Sequence, residues 1–221
     1  VIPKIIHQIW FGPESFRPIK LMRQWETQHP DWEYYLWTND NIELFNQDQF
    51  DWCEGLGLYG RIMQADITKY EMLLRFGGIY IDADAEVLKP LNASFLNHEY
   101  FASKLPKSEV VAIHFLGCEA NHPLNECLVK RIKQTPKFNF IRAGNYQEGD
   151  SQKHTHFHVT SNGLFMNSIN ETQPKIFFYP SKVVIPASVS DIDENTFVFH
   201  HWGHRGMDIY EDFSIRRIKM I

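Results

Sequence analysis

Between Arg61 and Phe76 the chain carries neither Gly nor Pro, and it then passes through Gly77-Gly78 into the alternating segment Ile79-Tyr-Ile-Asp-Ala-Asp-Ala-Glu86. Few folds accommodate such a run. Met63, Ile67, Tyr70 and Leu74 fall on one stripe at helical spacing, so the segment is predicted as an amphipathic helix with that stripe against a core. A glycine after the last turn ends a helix by adopting the left-handed conformation without steric cost. The residues beyond are predicted as a strand in which Asp82, Asp84 and Glu86 share one face. Side chains repeat every second residue, so successive members should stand roughly 6.6 Å apart. Lys89-Pro90 closes that strand.

The flanking sequence continues the alternation of strand and helix. Lys4-Ile-Ile-His-Gln-Ile-Trp10 reads as a buried strand, ended by Phe11-Gly-Pro13. Leu21, Met22 and Trp25 follow at helical spacing up to His29-Pro30-Asp31, and Glu33-Tyr-Tyr-Leu-Trp37 reads as a second, aromatic strand. Asp40-Asn-Ile-Glu43 has capping-box spacing and predicts a further helix start. Strands are predicted at 110–116, 176–179 and 196–200, with a helix from Pro123 to about Gln134. This pattern predicts an α/β sheet within one domain spanning 1–221. Ligands of open α/β sheets bind beyond the carboxyl ends of the strands, where Trp10 and Asp82 fall.

Composition narrows the partners. A net charge of -5 argues against broad nucleic-acid binding, which needs a basic surface, so an anionic ligand must be met locally. The 14% aromatic content suggests clefts lined by ring faces. Cys53, Cys118 and Cys127 form an odd set without C-x-x-C spacing, which supports neither a disulfide framework nor a thiolate zinc site and fits a reducing compartment. No apolar run reaches the ~20 residues that span a bilayer, and Val1-Ile-Pro-Lys4 lacks the basic, apolar and cleavage regions of a signal peptide. The tail Phe213-Ser-Ile-Arg-Arg-Ile-Lys-Met-Ile221 interleaves basic and apolar residues. It could lie on an anionic membrane surface or pack as a terminal helix.

Carboxylates grouped at a strand end raise each other's pKa unless a cation intervenes. A divalent metal resolves that conflict, and Mg²⁺ or Mn²⁺ takes one or two protein carboxylates and completes its shell with water and substrate phosphates. An Asp-x-Asp alone is also consistent with a solvated acidic edge strand. An EF-hand starting at Asp82 would need Gly at its sixth position and Glu at its twelfth, where Val87 and Ala93 stand. On the preceding helix Asp66, Lys69 and Leu73 share a face. Asp66 could then accept sugar hydroxyls while Lys69 offsets diphosphate charge, or the two could form a plain i, i+3 pair.

Over Ala65-Asp-Ile-Thr-Lys-Tyr-Glu-Met-Leu-Leu-Arg-Phe-Gly-Gly-Ile-Tyr-Ile-Asp-Ala-Asp-Ala-Glu-Val-Leu-Lys-Pro90 the chain closely resembles a glycosyltransferase family. The family is that of the Asp-x-Asp enzymes of the yeast initiating α-1,6-mannosyltransferase and bacterial capsular-polysaccharide type. Ile2 to Trp10, Trp37-Thr-Asn-Asp40, His122-Pro123 and His200-His-Trp202 resemble it in the same order. The resemblance implies a GT-A fold, a single Rossmann-like mixed sheet flanked by helices, with a nucleotide-sugar donor, Mn²⁺ or Mg²⁺, and transfer with retention. It also implies site residues. Trp10 would stack on the donor base, and Ile9, Tyr80 and Asn162 would join the donor site. Asp66 would bind the donor sugar, Asp82 would contact ribose, sugar or the metal shell, Asp84 would ligate the metal, and His201 would lie near diphosphate and metal. A UDP-hexose is favoured over GDP-mannose. The acceptor would be a glycan or lipid-linked saccharide in surface polysaccharide or capsule synthesis, at the inner face of the cell membrane.

The chain departs from the family pattern in three places. Lys69 stands where Arg is usual, Ser161-Asn162-Gly163 where Gly-Pro is usual, and His204-Arg-Gly-Met207 where Ser-Trp is common. Lys keeps the charge but loses the bidentate fork. His154, His156 and His158 alternate as on a strand face and could chelate zinc, although no further ligand is identifiable. Two other classes remain open from sequence: a non-catalytic carbohydrate or metal-binding module, and a nucleotide-sugar hydrolase.

Overall fold

The computed structural model describes residues 1–145 and 156–201. In chain order the strands and α-helices begin with β1 (Ile5–Ile9), α1 (Ile19–Gln28), β2 (Glu33–Trp37), α2 (Gln47–Asp51) and α3 (Gly57–Phe76). They continue with β3 (Gly78–Ile81), β4 (Ala85–Val87), β5 (Tyr100–Lys104), β6 (Val111–Cys118), α4 (Pro123–Gln134) and α5 (Lys137–Gly144). The last are α6 (His156–Val159), α7 (Asn162–Thr172), β7 (Phe177–Tyr179), α8 (Ser181–Val184) and β8 (Val198–His200). Six strands form a mixed sheet in the order β2-β1-β3-β6-β5-β7, and β4 pairs with β8 in a separate two-stranded sheet.

The 20-residue α3 contains the predicted run from Arg61 to Phe76 and starts earlier, at Gly57, with Met63, Ile67 and Tyr70 fully buried and Leu74 partly so. It ends where Gly77 takes φ +64 and donates its amide to the Leu73 carbonyl. Gly78, at φ +94, starts β3 beside β1, so close that a Cβ there would lie 2.7 Å from the Ile5 carbonyl. Side chains of β3 then alternate between the two cores. Tyr80 faces the α3, α4 and α7 side with Tyr70, Leu128 and Phe165. Ile79 and Ile81 face the other side with Trp25 of α1 and Val184 of α8. The central strands are covered on both faces, so a ligand is expected beyond the strand ends. β1 and β3 run parallel, so Ile9 and Ile81 finish at the same end.

Two sequence expectations are corrected here. The helix predicted from Asp40 does not form: the Asn41 side chain is spent on a turn, accepting from the Thr38 amide and donating to the Leu36 carbonyl. The helix starts later, at Gln47, behind amides of Phe45 and Asn46 that both donate to the buried Glu71 carboxylate at 2.6 and 2.8 Å. The run Ile79 to Glu86 is not one strand either. It leaves the large sheet after Ile81, turns with the Ala85 amide bonded to the Asp82 carbonyl, and resumes as β4 in the small sheet. Alternation survives such a turn, so the sequence pattern could not reveal it.

Candidate active site

Asp82 follows the last residue of β3, and its amide still donates to the His114 carbonyl of β6 at 3.0 Å. The turn then swings Asp84 back toward Asp82. β8 lies antiparallel to β4 with Ala85 opposite His200, which brings the His200 ring to the mouth of that turn. His200 Nε2 stands 3.1 Å from Asp82 Oδ2 and 3.1 Å from Asp84 Oδ1. A carboxylate oxygen from each aspartate and the histidine nitrogen all lie within 4.8 Å of one another. The turn and the β4–β8 pairing together set this convergence.

The electrostatics follow from this crowding. His200 is only 2% exposed. Burial opposes its charged form, but the carboxylates of Asp84 and Asp82 outweigh burial and carry its pKa up to about 10. Burial likewise pushes Asp82 upward, and the His200 hydrogen bond and the Lys69 charge outweigh it, leaving the carboxyl below its ordinary range. The other oxygen of Asp82, Oδ1, accepts from the Tyr80 hydroxyl at 2.6 Å. His114, whose ring centroid lies 4.3 Å from that of His200, is pushed by burial, and then by the His200 charge, down to about 3.

Beneath this cluster lies a second, drier one. Asp66 and Lys69 of α3, each 3% exposed, form an ion pair at 2.7 Å. Thr160, fully buried ahead of α7, donates to Asp66 Oδ2 at 2.9 Å. Lys69 also donates to the Ile113 carbonyl at 3.3 Å and sits 4.7 Å from the centroid of the Tyr80 ring. Burial raises the Asp66 pKa, with Lys69 and Thr160 partly offsetting it.

The structure brings Asp66, Lys69, Tyr80, Asp82 and Asp84 together at one end of the sheet. His201, expected beside the metal, is corrected: its ring is turned to Glu86 at 3.1 Å, and His200 is the histidine between the two aspartates. Glu86 therefore does not join Asp82 and Asp84, although all three were expected on one face. Trp10 follows β1, half-buried, with its indole N–H on the Pro13 carbonyl at 3.2 Å and its ring over Gly12, where a Cβ would meet it at 2.8 Å. Ile9 packs in the core. Asn162 opens α7 and donates its side-chain amide to the Val111 carbonyl. His156 and His158 lie on a helical turn, α6, and not on a strand face. His154, Trp202, the 204–207 segment and the tail at 213–221 lie outside the described residues. Sequence reasoning missed His114, His200, Thr160 and Gln8, whose side-chain amide donates to the Asp82 carbonyl at 3.3 Å. Gln8 and His200 lie in segments that resemble the family, but their spacing assigns them no role; His114 and Thr160 lie in no motif, and only the tertiary contacts bring the four together.

The donor set fits a divalent cation. Two carboxylates and an imidazole converge, each offering one ligand atom within reach of the others.

Residues 15–102 match a family described as glycosyltransferase sugar-binding region containing DXD motif, a span that holds Asp66, Lys69, Tyr80, Asp82 and Asp84. The chain is 30% identical over 146 residues to inositol phosphoceramide mannosyltransferase 3 of Schizosaccharomyces pombe, covering 63% of this chain and 38% of that protein. It is 30% identical over 129 residues to the initiation-specific alpha-1,6-mannosyltransferase of Candida albicans, covering 54% of this chain and 32% of that one. The chain thus spans well under half the length of these relatives. Among solved structures, the PaToxG glycosyltransferase superposes with a TM-score of 0.55 at 16% identity, covering 77% of this chain and 70% of that one. These findings bear out the resemblance to Asp-x-Asp glycosyltransferases, and the fold is the GT-A fold.

Proposed function

We propose that this protein, which carries the DXD sugar-binding region of glycosyltransferases over residues 15–102, is a metal-dependent, retaining hexosyltransferase. It would move a sugar from a nucleotide-sugar donor to a glycan or lipid-linked saccharide. The observation that carries the reading is the convergence of Asp82, Asp84 and His200 at the carboxyl end of β3. A bound Mn²⁺ would supply Lewis-acid stabilisation of the negative charge that develops on the departing diphosphate. Asp84 and His200 would hold the cation, with Asp82 shared between it and the donor. Tyr80 steadies Asp82 through its hydroxyl. Lys69 stays inside, where it orients Asp66 toward the sugar and adds positive charge beneath Tyr80 and Asp82. Trp10 and Asn162 would flank the donor, with Trp10 offering a ring face for the base.

The proposal takes 1–221 as one domain acting at a membrane face in surface-glycan synthesis. No helix among the described residues is long and apolar enough to cross a membrane. The resemblance read from sequence favours a UDP-hexose, and a fold neighbour is described as UDP-bound. The named yeast relatives are mannosyltransferases, so GDP-mannose belongs in the same test.

That test measures nucleoside diphosphate release and product mass from UDP-glucose, UDP-galactose, UDP-N-acetylglucosamine and GDP-mannose, with and without saccharide acceptors. Transfer predicts Mn²⁺-dependent, acceptor-stimulated release from one nucleotide class, and product NMR showing the donor's anomeric configuration. Release that ignores acceptor and yields only free sugar would make the protein a hydrolase. Release unaffected by a chelator would remove the metal from the account.

A further inference from the structure

The two halves of the Asp82, Asp84 and His200 cluster come from different sheets. Asp82 closes the six-stranded sheet, whereas His200 belongs to the two-stranded sheet and reaches the cluster only through its pairing with Ala85. The covalent connection between them on the β3 side is a short turn, and β8 is only three residues long. Backbone pairing alone sets where His200 lies but not how its ring is rotated.

His114 stands at the junction. It lies within β6, which pairs with β3 up to Ile81 opposite Phe115. Its carbonyl takes the Asp82 amide at 3.0 Å, a backbone bond that carries the β3–β6 pairing one residue past Ile81. Its side chain, 6% exposed, lies against the other arm: the His114 and His200 ring centroids are 4.3 Å apart, with planes 33° apart. One residue therefore touches both arms of the cluster, by backbone on one side and by ring face on the other. Lys69, Asp82 and Asp84 are the charged groups that face it, together with His200 itself.

We propose that His114 is a positioning residue for the cation site: its flat ring backs that of His200 and fixes the plane in which Nε2 faces Asp82 and Asp84. It is not one of the three converging ligands. The role it plays is that of a packing partner orienting a ligating histidine; outer partners that hydrogen-bond such a histidine are worth about 10- to 100-fold in metal affinity, which sets an upper scale for a ring contact. The inference rests on the cation-site reading above.

The experiment is a titration of Mn²⁺ into the purified chain, followed by loss of the free-ion EPR signal, with metal-free melting recorded for each variant. His114→Leu fills a similar volume without a flat ring, and His114→Phe keeps a flat ring without polar atoms. The proposal predicts that His114→Leu binds Mn²⁺ more weakly than wild type, by up to about 10-fold, the low end of the scale for outer partners, whereas His114→Phe stays near wild type. Simple space filling would rank the two variants alike in Mn²⁺ affinity. Equal affinity of His114→Leu and wild type overturns the proposal. So does His114→Phe binding as weakly as His114→Leu, which would mean that the polar atoms of the ring are needed. A wild-type chain that takes up no Mn²⁺ overturns the cation site itself, which separates failure of the function from failure of this inference.

Discussion

Two kinds of buried charge meet at this site, and they respond differently to substitution. The Asp66 and Lys69 pair is almost without water. Two charges moved from water together are stabilised only by each other and by their remaining hydrogen bonds, so removing one partner costs far more than removing both. Lys69→Met is expected to destabilise the chain by about 3–5 kcal/mol, measured by urea unfolding. The double variant Asp66→Leu, Lys69→Met should recover a substantial part of that loss. A double variant as unstable as Lys69→Met would show that the pair is not energetically coupled. At Asp84, by contrast, the consequence is chemical. Asp84→Ala should abolish Mn²⁺-dependent transfer by at least about 100-fold, the scale of lost charge stabilisation in acyl-transfer sites, with folding retained. At this scale the aspartates were legible because their spacing is a motif. The histidine was not, because a one-residue slip in a strand exchanges inward and outward faces. His200 and His201 are adjacent and identical in type, and only the Ala85 pairing decides which one faces Asp82 and Asp84.

The helix, glycine and strand unit that dominates the sequence also dominates the fold, because each part is held by close backbone contact. Gly78→Ala would add a Cβ 2.7 Å from the Ile5 carbonyl and 2.9 Å from the Ile5 Cβ, at a φ of +94. Strain and overpacking together predict a loss of about 2–4 kcal/mol, with β1 and β3 forced apart. A Gly78→Ala chain that melts like wild type would mean the two strands are not in this register. The same corner carries a pH dependence. His7, fully buried, accepts from the Trp37 indole and donates to the Gly77 carbonyl, linking β1 and β2 to the start of β3. Burial pushes its pKa down to about 4 from 6.5. The unfolded chain therefore takes up this proton first as pH falls. The stability associated with neutral His7 is fully present above pH 6.5 and is lost progressively down to about 4, by about 3 kcal/mol. Stability against pH should be flatter over that window in His7→Gln than in wild type, and equal slopes would exclude His7 as the source. Long elements such as α3 and α4 were legible because period and breakers agree. The helix expected at Asp40 failed because Glu71, distant in sequence, supplies acceptors for the amides leading into α2 and so competes with the local capping pattern.

For the whole molecule, alternation of strands and helices was enough to indicate an α/β sheet whose β1 and β3 finish together before Trp10 and Asp82. It could not show that the chain leaves one sheet at Asp82 and enters another at Ala85. That change of sheet lets one turn bring two carboxylates to a common point and lets a distant strand add His200. Residues from 66 to 200 thus act on one volume, and ligand binding there should stabilise the folded chain as a unit. The most direct measurement is the melting temperature of wild type and Asp84→Ala with UDP or GDP alone, Mn²⁺ alone, and both together. At ligand concentrations near 100 times Kd, wild type should rise by roughly 5–10 °C only when Mn²⁺ and the correct nucleotide are both present, and Asp84→Ala should not rise. A nucleotide shift of the same size with chelator present, or one retained in Asp84→Ala, would contradict a cation held at this cluster against the donor diphosphate.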